Sequence, residues 1–434
     1  SSHSALLPHR RNQPLSLSLC KNPPKHMDGD RRPPAAAAAA SAASVLGDDD
    51  LLREILLRLG FPTCLVRAAL VCKRWLLHAS DPAFLRRFRE RNPPRLLGFC
   101  LRCPDGYSFV PLPQPPELAV PIRRATSSCA AAFAIKIHRI KHCRNGRLIT
   151  NYFDGCTHHH AIMAPLLHGE SATALPPIPL HSRDWDGRAQ VRYIEVFLPE
   201  DGGLDGITLV HLWNVGRKIY AEVCVLGSDG WGVPASAEME LPAQRYDERF
   251  LADMLPPVLG KVFMVTTSGG FTLGLDLATA SFFTLELPVG VQSNYKLSCA
   301  EDSGLYLVSA DGFQLSVWLH PMIGDDDGAG NWRLVDTFCV HETCTRLVDH
   351  YWVPLYNFIA VDFVGDNADF AILDHPASDI LFYVHLRSRV VEKVYQRPTR
   401  FLTVLAAGRL HISPVMMTWP PIFPALNEGH DQEE

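Results

Sequence analysis

The sequence predicts an α+β multidomain chain: a small N-terminal three-helix unit followed by a mostly antiparallel, all-β, propeller-like domain. Three observations carry that expectation. Asp48 to Phe88 is the one dense run of helical signals. After it the apolar pattern shortens to strand-length runs punctuated by Gly, Asn and Asp. Those runs recur in groups of three or four over roughly forty to fifty residues, close to the blade length of a propeller, whose radial repetition protects sheet edges.

Leu51, Leu52, Ile55, Leu56 and Leu59 share one helical face, with Arg53, Glu54 and Arg58 outside it. Asp48 to Asp50 stand at its start, where carboxylates accept from free N–H groups and meet the positive end of the helix dipole. Gly60 and Pro62 end this helix. Thr63 is expected to cap a second helix carrying Leu65, Val66, Ala69, Leu70 and Val71. Ser80-Asp81-Pro82 opens a third, a cap with proline at the first helical position, which buries Phe84, Leu85 and Phe88. Three short helices cannot hide that much Leu, Ile, Val and Phe, so either a partner or the rest of the chain must cover the surplus.

These residues resemble a family. Leu51-Leu52-x-Glu54-Ile55-Leu56-x-Arg58-Leu59, then Leu65, Val71-Cys72-Lys73-Arg74-Trp75 and Asp81-Pro82-x-Phe84 resemble an F-box. The usual Leu-Pro would fall at Gly47-Asp48; neither residue is present, and Leu46 stands one position early. Most of the remaining chain is similar to grass-type plant F-box proteins with a β-rich C-terminal region. The resemblance implies a substrate receptor of an SCF-type ubiquitin ligase, with no catalytic residues, no cofactor and no metal. Its F-box would dock a Skp-type adaptor, and through it cullin, by a helix-in-groove contact. Leu51, Leu52, Ile55, Leu56, Leu65, Val71 and Trp75 would divide between that contact and internal packing. The other reading is a non-ligase propeller scaffold for which the helices are a docked cap.

Composition is that of an ordinary globular protein, with a formal net charge of -5 over 434 residues. That balance gives no pervasive basic field for nucleic acid. The alanine-rich run Ala35 to Leu46 is too short and too weakly apolar to span a bilayer. Twelve scattered cysteines without framework spacing suit free thiols in cytosol or nucleus.

Residues 1–45 read as a disordered low-complexity leader, 46–90 as the helical domain, 91–425 as the β domain and 426–434 as an acidic tail. Residues 1–26, before the first Met at Met27, read as a translated leader or gene-model extension, with an organelle transit peptide as the other reading. Expected strands begin at Leu96–Leu101, Cys129–Ile140 and Leu148–Phe153, with an Asn145-Gly146 hairpin turn. Tyr193–Leu198, Ile207–Trp213, Lys218–Val225, Val262–Thr266, Phe271–Leu275 and Phe282–Leu287 are next. Then come Gly304–Val308, an Asp311-Gly312 turn, Phe313–Leu319, Trp332–Phe338, Phe358–Val364, Asp369–Leu373, Ile380–Val384 and Val390–Tyr395. Met416 to Pro424 is expected to make an extended closing segment.

Candidate chemistry is thin. His138, His142, Cys143, Cys156, His158, His159 and His160 have the ligand types for tetrahedral zinc, but their spacing matches no standard finger and favours exposed loop histidines. Cys100-Leu101-Arg102-Cys103 is a lone CxxC ending a strand, not opening a helix as redox chemistry needs. Asp325-Asp326-Asp327-Gly328 lacks the alternating ligands of a calcium loop. Asp276, Asp311 and Asp336 fit blade turns. Among the tryptophans, Trp213, Trp318 and Trp332 belong to core patterns, whereas Trp231 and Trp352 are the surface candidates for binding a target.

Overall fold

In the computed structural model the chain forms two compact units, residues 1–55 and 56–434. The structure describes residues 46–92, 95–103, 106–134, 137–144, 146–153, 158–167, 172–178, 191–199, 206–242, 251–267, 270–291, 293–300, 304–322, 331–348, 358–397, 412–419 and 421–423. The leader to residue 45, Cys156, Asp325 to Asp327, Trp352 and the acidic tail lie outside them.

Four helices, not three, cover the first stretch: α1 (Asp49–Leu57), α2 (Pro62–Ala69), α3 (Lys73–Ser80) and α4 (Pro82–Arg91). Asp48 caps α1, accepting from the N–H groups of Asp50 and Leu51 at 2.9 and 3.0 Å. The expected Thr63 cap is not made. Phe61 is the N-cap of α2 and Pro62 its first residue, so Thr63 already lies inside the helix. Between α2 and α4 the chain turns at Leu70–Cys72, and α3 is a helix of its own. Asp81 accepts from the N–H of Phe84 at 2.8 Å and starts α4, with Pro82 following as expected.

Strands β1 (Leu96–Cys103) and β2 (Gly106–Pro111) precede α5 (Ala119–Ala134). Blade 1 then comprises β3 (Ile137–Arg144), β4 (Arg147–Phe153), β5 (His158–Met163) and β6 (Thr173–Ala174). Blade 2 holds β7 (Val191–Phe197), β8 (Thr208–Val215), β9 (Lys218–Gly227), β10 (Gly230–Trp231) and β11 (Ala235–Glu240). In blade 3 are β12 (Leu251–Met254), β13 (Lys261–Thr266), β14 (Phe271–Asp276) and β15 (Ser281–Glu286). Blade 4 is β16 (Tyr295–Ala300), β17 (Gly304–Asp311), β18 (Gln314–Pro321) and β19 (Arg333–Cys339). After α6 (His341–Leu347), blade 5 is made of β20 (Ala360–Val364), β21 (Phe370–His375), β22 (Ile380–His385) and β23 (Val390–Gln396). Finally β24 (Ile412–Met416) pairs antiparallel with β1, Leu101 opposite Ile412, so blade 6 is β24-β1-β2, built from both ends of the domain.

Each blade shares an apolar cluster with the next, which closes a six-membered ring among the described residues. Ile149 packs with Val196, Leu212 with Val262, and Phe263 with Leu305. Leu315 packs with Phe382, Leu381 with Phe99, and Val415 with Leu148 back in blade 1. Middle strands are therefore covered on both faces and read as continuous apolar runs. All six residues of β21 are buried, whereas the outer β19 is mostly exposed. Buried polar contacts tie successive blades. The Tyr107 hydroxyl accepts from the Ile140 N–H at 3.1 Å, and the Tyr193 hydroxyl donates to the Leu251 carbonyl at 2.8 Å. Asn294 donates to the carbonyls of Ala310 and Ile359 and accepts from the Val361 N–H, at 2.9, 2.8 and 2.9 Å.

Three local expectations change. Cys129 belongs to α5, not to a strand. Leu118, Ile122, Ala125 and Cys129 lie at helical spacing, and the alanines after Cys129 favour helix. The histidine run is not an exposed loop: it forms β5, with His160 buried. Asp336 lies within β19 and pairs with Arg389 at 2.7 Å, whereas Asp276 does make a turn, accepting from the N–H groups of Ala278 and Thr279. The hairpin at Gly146 forms as expected, with Arg144 opposite Arg147 and Gly146 at φ +69°.

Asn294 sits at φ +53° and joins blades 4 and 5 through three hydrogen bonds. Asn294→Ala strands the Val361 N–H and takes a donor from the Ala310 and Ile359 carbonyls, and alanine tolerates that φ less well. Stability should fall by about 2–3 kcal/mol, read as a lower urea midpoint at unchanged slope.

Candidate partner-binding surface

The helical unit divides its leucines between inside and outside. Leu52, Leu56 and Leu65 are fully buried, as are Phe84 and Phe88 one or two helices on. Ile55 and Trp75 are half-buried. Leu51 is 46 % exposed, whereas Leu70, Val71 and Leu77 are 63, 64 and 63 % exposed. The last three lie just after α2 and on α3, where no strand among the described residues covers them. Exposed aliphatic side chains at three such neighbouring positions on a small unit suit a partner of complementary apolar shape.

Part of the surplus apolar surface is covered from within residues 56–434. Phe61 packs with Leu97 of β1, Leu118 and Met417, and the Arg95 guanidinium lies 4.8 Å over its ring. Phe88 of α4 stacks on Trp419, centroids 6.2 Å apart and planes at 4°. Trp419 comes shortly after β24, so closing the propeller also places the indole on which α4 rests. From Leu56 to Asn92 the sequence holds eight Lys and Arg against two carboxylates. This is a cationic segment in a chain of net negative charge.

The surface tryptophan Trp231 is half-buried, and its indole N–H donates to the Pro176 carbonyl at 3.1 Å. Only part of its ring is left for a target. Trp213 stacks on Tyr220 at 5.5 Å, and Trp332 donates to the Glu286 carbonyl at 2.7 Å.

The thiol of the CxxC that the structure describes, Cys100, is buried rather than reactive. Cys100 and Cys129 share one apolar cluster at the junction of blades 6 and 1, with Cys143 packed against it. A hydrogen bond with the Cys129 thiol, followed by burial, raises the Cys100 pKa, and burial pushes Cys143 up to about 12. Thiols held protonated are poor nucleophiles and poor metal ligands. Among the described residues no three His, Cys, Asp or Glu gather where they could hold a metal ion. Of the histidines weighed for zinc, His142 stands edge-on to Phe197 at 5.6 Å and His159 stacks on Tyr152 at 5.0 Å. No helix among the described residues is long and apolar enough to cross a membrane.

Residues 139–423 match the family described as F-box protein AT5G49610-like, beta-propeller. Residues 49–91 match the F-box-like family. No curated protein matches the sequence. Among solved structures the chain is similar to a functionally unknown protein from Desulfotomaculum acetoxidans, at 12% identity and a TM-score of 0.33, over 62% of this chain and 73% of that one. It is also similar to the Cps50 (Swd1) β-propeller domain of Myceliophteria thermophila, at 10% identity and a TM-score of 0.33, over 60% of this chain and 86% of that one. Likenesses this loose carry no argument.

His142 gives the blade 1–blade 2 contact a pH dependence. Burial first, then the charge of Arg144, lowers its pKa from 6.5 to about 3, and its Nε2 is buried with no hydrogen-bond partner among the described residues. The unfolded chain therefore takes up a proton below pH 6.5 that the folded chain refuses until about pH 3. Stability is fully present above 6.5 and is lost as pH falls through that window, at up to about 1.4 kcal/mol per pH unit. His142→Leu should flatten this acid limb in urea titrations run stepwise from pH 7 to pH 4.

Proposed function

The chain belongs to the family of F-box proteins with an AT5G49610-like β-propeller, and on that premise we propose that it is a substrate-recognition subunit of an SCF-type ubiquitin ligase, of the kind found in grasses. Residues 46–90 bind a Skp-type adaptor and, through it, cullin. The β domain, residues 91–425, holds a target protein. The chain performs no chemistry itself and uses no cofactor. It works in cytosol or nucleus by raising the local concentration of the target beside the ubiquitin-charged enzyme.

The observation that carries this reading is the outward-facing set Leu70, Val71 and Leu77 on a unit matching the F-box-like family. Of the residues that the F-box resemblance nominated, the exposed Leu51 and Val71 meet the adaptor directly in this reading, and the half-buried Ile55 and Trp75 in part; Leu52, Leu56 and Leu65, being buried, serve internal packing. On the β domain, the exposed part of Trp231 is one anchor for the target, and Trp352 is a second.

A second reading, a propeller scaffold capped by its own helices, is favoured by the Phe88–Trp419 stack and by the absent Leu-Pro at Gly47-Asp48. One experiment separates the two. Val71→Asp with Leu77→Asp puts charge where side chains are already exposed. The melting temperature should hold while co-purification with a Skp-type adaptor drops at least about tenfold, the loss of ~1.4 kcal/mol or more. No recovery of adaptor by the wild type favours the scaffold, and equal positive recovery by wild type and double variant overturns the assignment of the contact to Val71 and Leu77. Leu52→Asp serves as contrast, since a carboxylate at a fully buried site should unfold the unit.

A further inference from the structure

A groove of about 390 Å³ lies between α2, the start of α5 and the segment C-terminal to β24. Val66 of α2, Val120 of α5 and Ile422 give it an apolar wall, and the last two are 40 and 54 % exposed. Arg67 and Arg124 line it from the two helices. Both are exposed, and among the described residues neither is paired with a carboxylate. Glu117 is the acidic residue of the lining, so the two guanidinium groups leave the groove net positive. Leu70, Val71 and Leu77 are not part of this lining. The groove is therefore a second surface, independent of the adaptor contact.

An exposed aliphatic wall and an uncompensated guanidinium on each of two helices set two demands on an occupant. It must cover the aliphatic side chains, and it must bring carboxylates, which arginine binds through two parallel hydrogen bonds. A wholly apolar occupant would strip water from two cations without replacing it. A basic one would be repelled. The surroundings select the same sign. From Leu56 to Asn92 eight Lys and Arg stand against two carboxylates, and Arg123, beside Arg124 on α5, is exposed as well. Such a field draws an acidic partner in before any contact forms. We propose that this groove binds an acidic segment of a partner protein. Its carboxylates pair with Arg67 and Arg124, and one apolar side chain between them packs on Val66, Val120 and Ile422. The bound segment reaches from α2 of the helical unit to the helix that precedes blade 1.

The test uses the full chain and a fluorescein-labelled peptide, Gly-Asp-Glu-Leu-Asp-Glu-Gly, with polarisation read at about 50 mM salt, where exposed charges are little screened. Saturable binding is expected. Arg67→Glu with Arg124→Glu should weaken it at least about tenfold, and a peptide with its Asp and Glu changed to Lys should bind that variant instead. Replacing the leucine of the peptide by serine should weaken binding to the wild type. Arg86→Glu with Arg123→Glu makes the same change of charge at exposed positions outside the lining and should cost less than about threefold. All four arginines are exposed, so both double variants should melt with the wild type. Absence of saturable binding by the wild type would overturn the proposal. Equal loss in the two double variants would overturn it too, by reducing the effect to general attraction. Dimerisation of the wild type that Arg67→Glu with Arg124→Glu abolishes in light scattering would assign the groove to a second copy and overturn it likewise.

Discussion

The pairing of β24 with β1 is the contact on which the rest of this molecule depends. An open stack of twisted sheets leaves two broad apolar faces and two unprotected ends. Joining Ile412–Met416 to Leu96–Cys103 removes both at once. Phe99 and Leu101 then meet blade 5 while Cys100 and Val415 meet blade 1. Alternate side chains of one strand are thus buried against different neighbours. No blade is stable alone on this plan, because each contributes half of two apolar layers.

Polar groups make the ring specific as well as greasy. Side chains such as Tyr107, Tyr193 and Asn294 satisfy backbone groups of the following blade. Each such bond is worth only about 1 kcal/mol net, but its loss inside an interface leaves an unpaired donor or acceptor. Blade 5 adds an ionic version: Arg397 is buried between Asp374 and Asp379. Burial raises the Asp374 carboxyl to about 6 even against the attraction of Arg397. Such a triad contributes little net stability yet penalises any misfitting outer strand.

Closure also governs the helical unit. Met417 and Trp419 come straight off β24 and receive Phe61 and Phe88. Phe61 and Phe88 are therefore engaged by the propeller, whereas Leu70, Val71 and Leu77 are exposed. That division leaves three aliphatic side chains exposed while α4 is held by stacked rings. It also creates the groove beside α2, since the same closing segment forms its wall.

Much of the architecture is legible in single stretches of sequence. Helical spacing from Leu51 to Phe88, the Asp81-Pro82 start of α4, the Asn-Gly hairpin and most middle strands are set by neighbours within a few residues, where φ preference and apolar period act directly. Weakly apolar or very short strands such as β6, β11 and β12 escaped, as did α5, whose alanines carry little period. Which leucine faces outward, why His160 is buried, and how β24 finds a strand more than three hundred residues earlier were decided only by the tertiary structure. Burial is a property of what packs opposite a residue, and here the opposing surface is supplied by chain far away in sequence. Local pattern determines the pieces; long-range contact determines which of their faces are left for a partner.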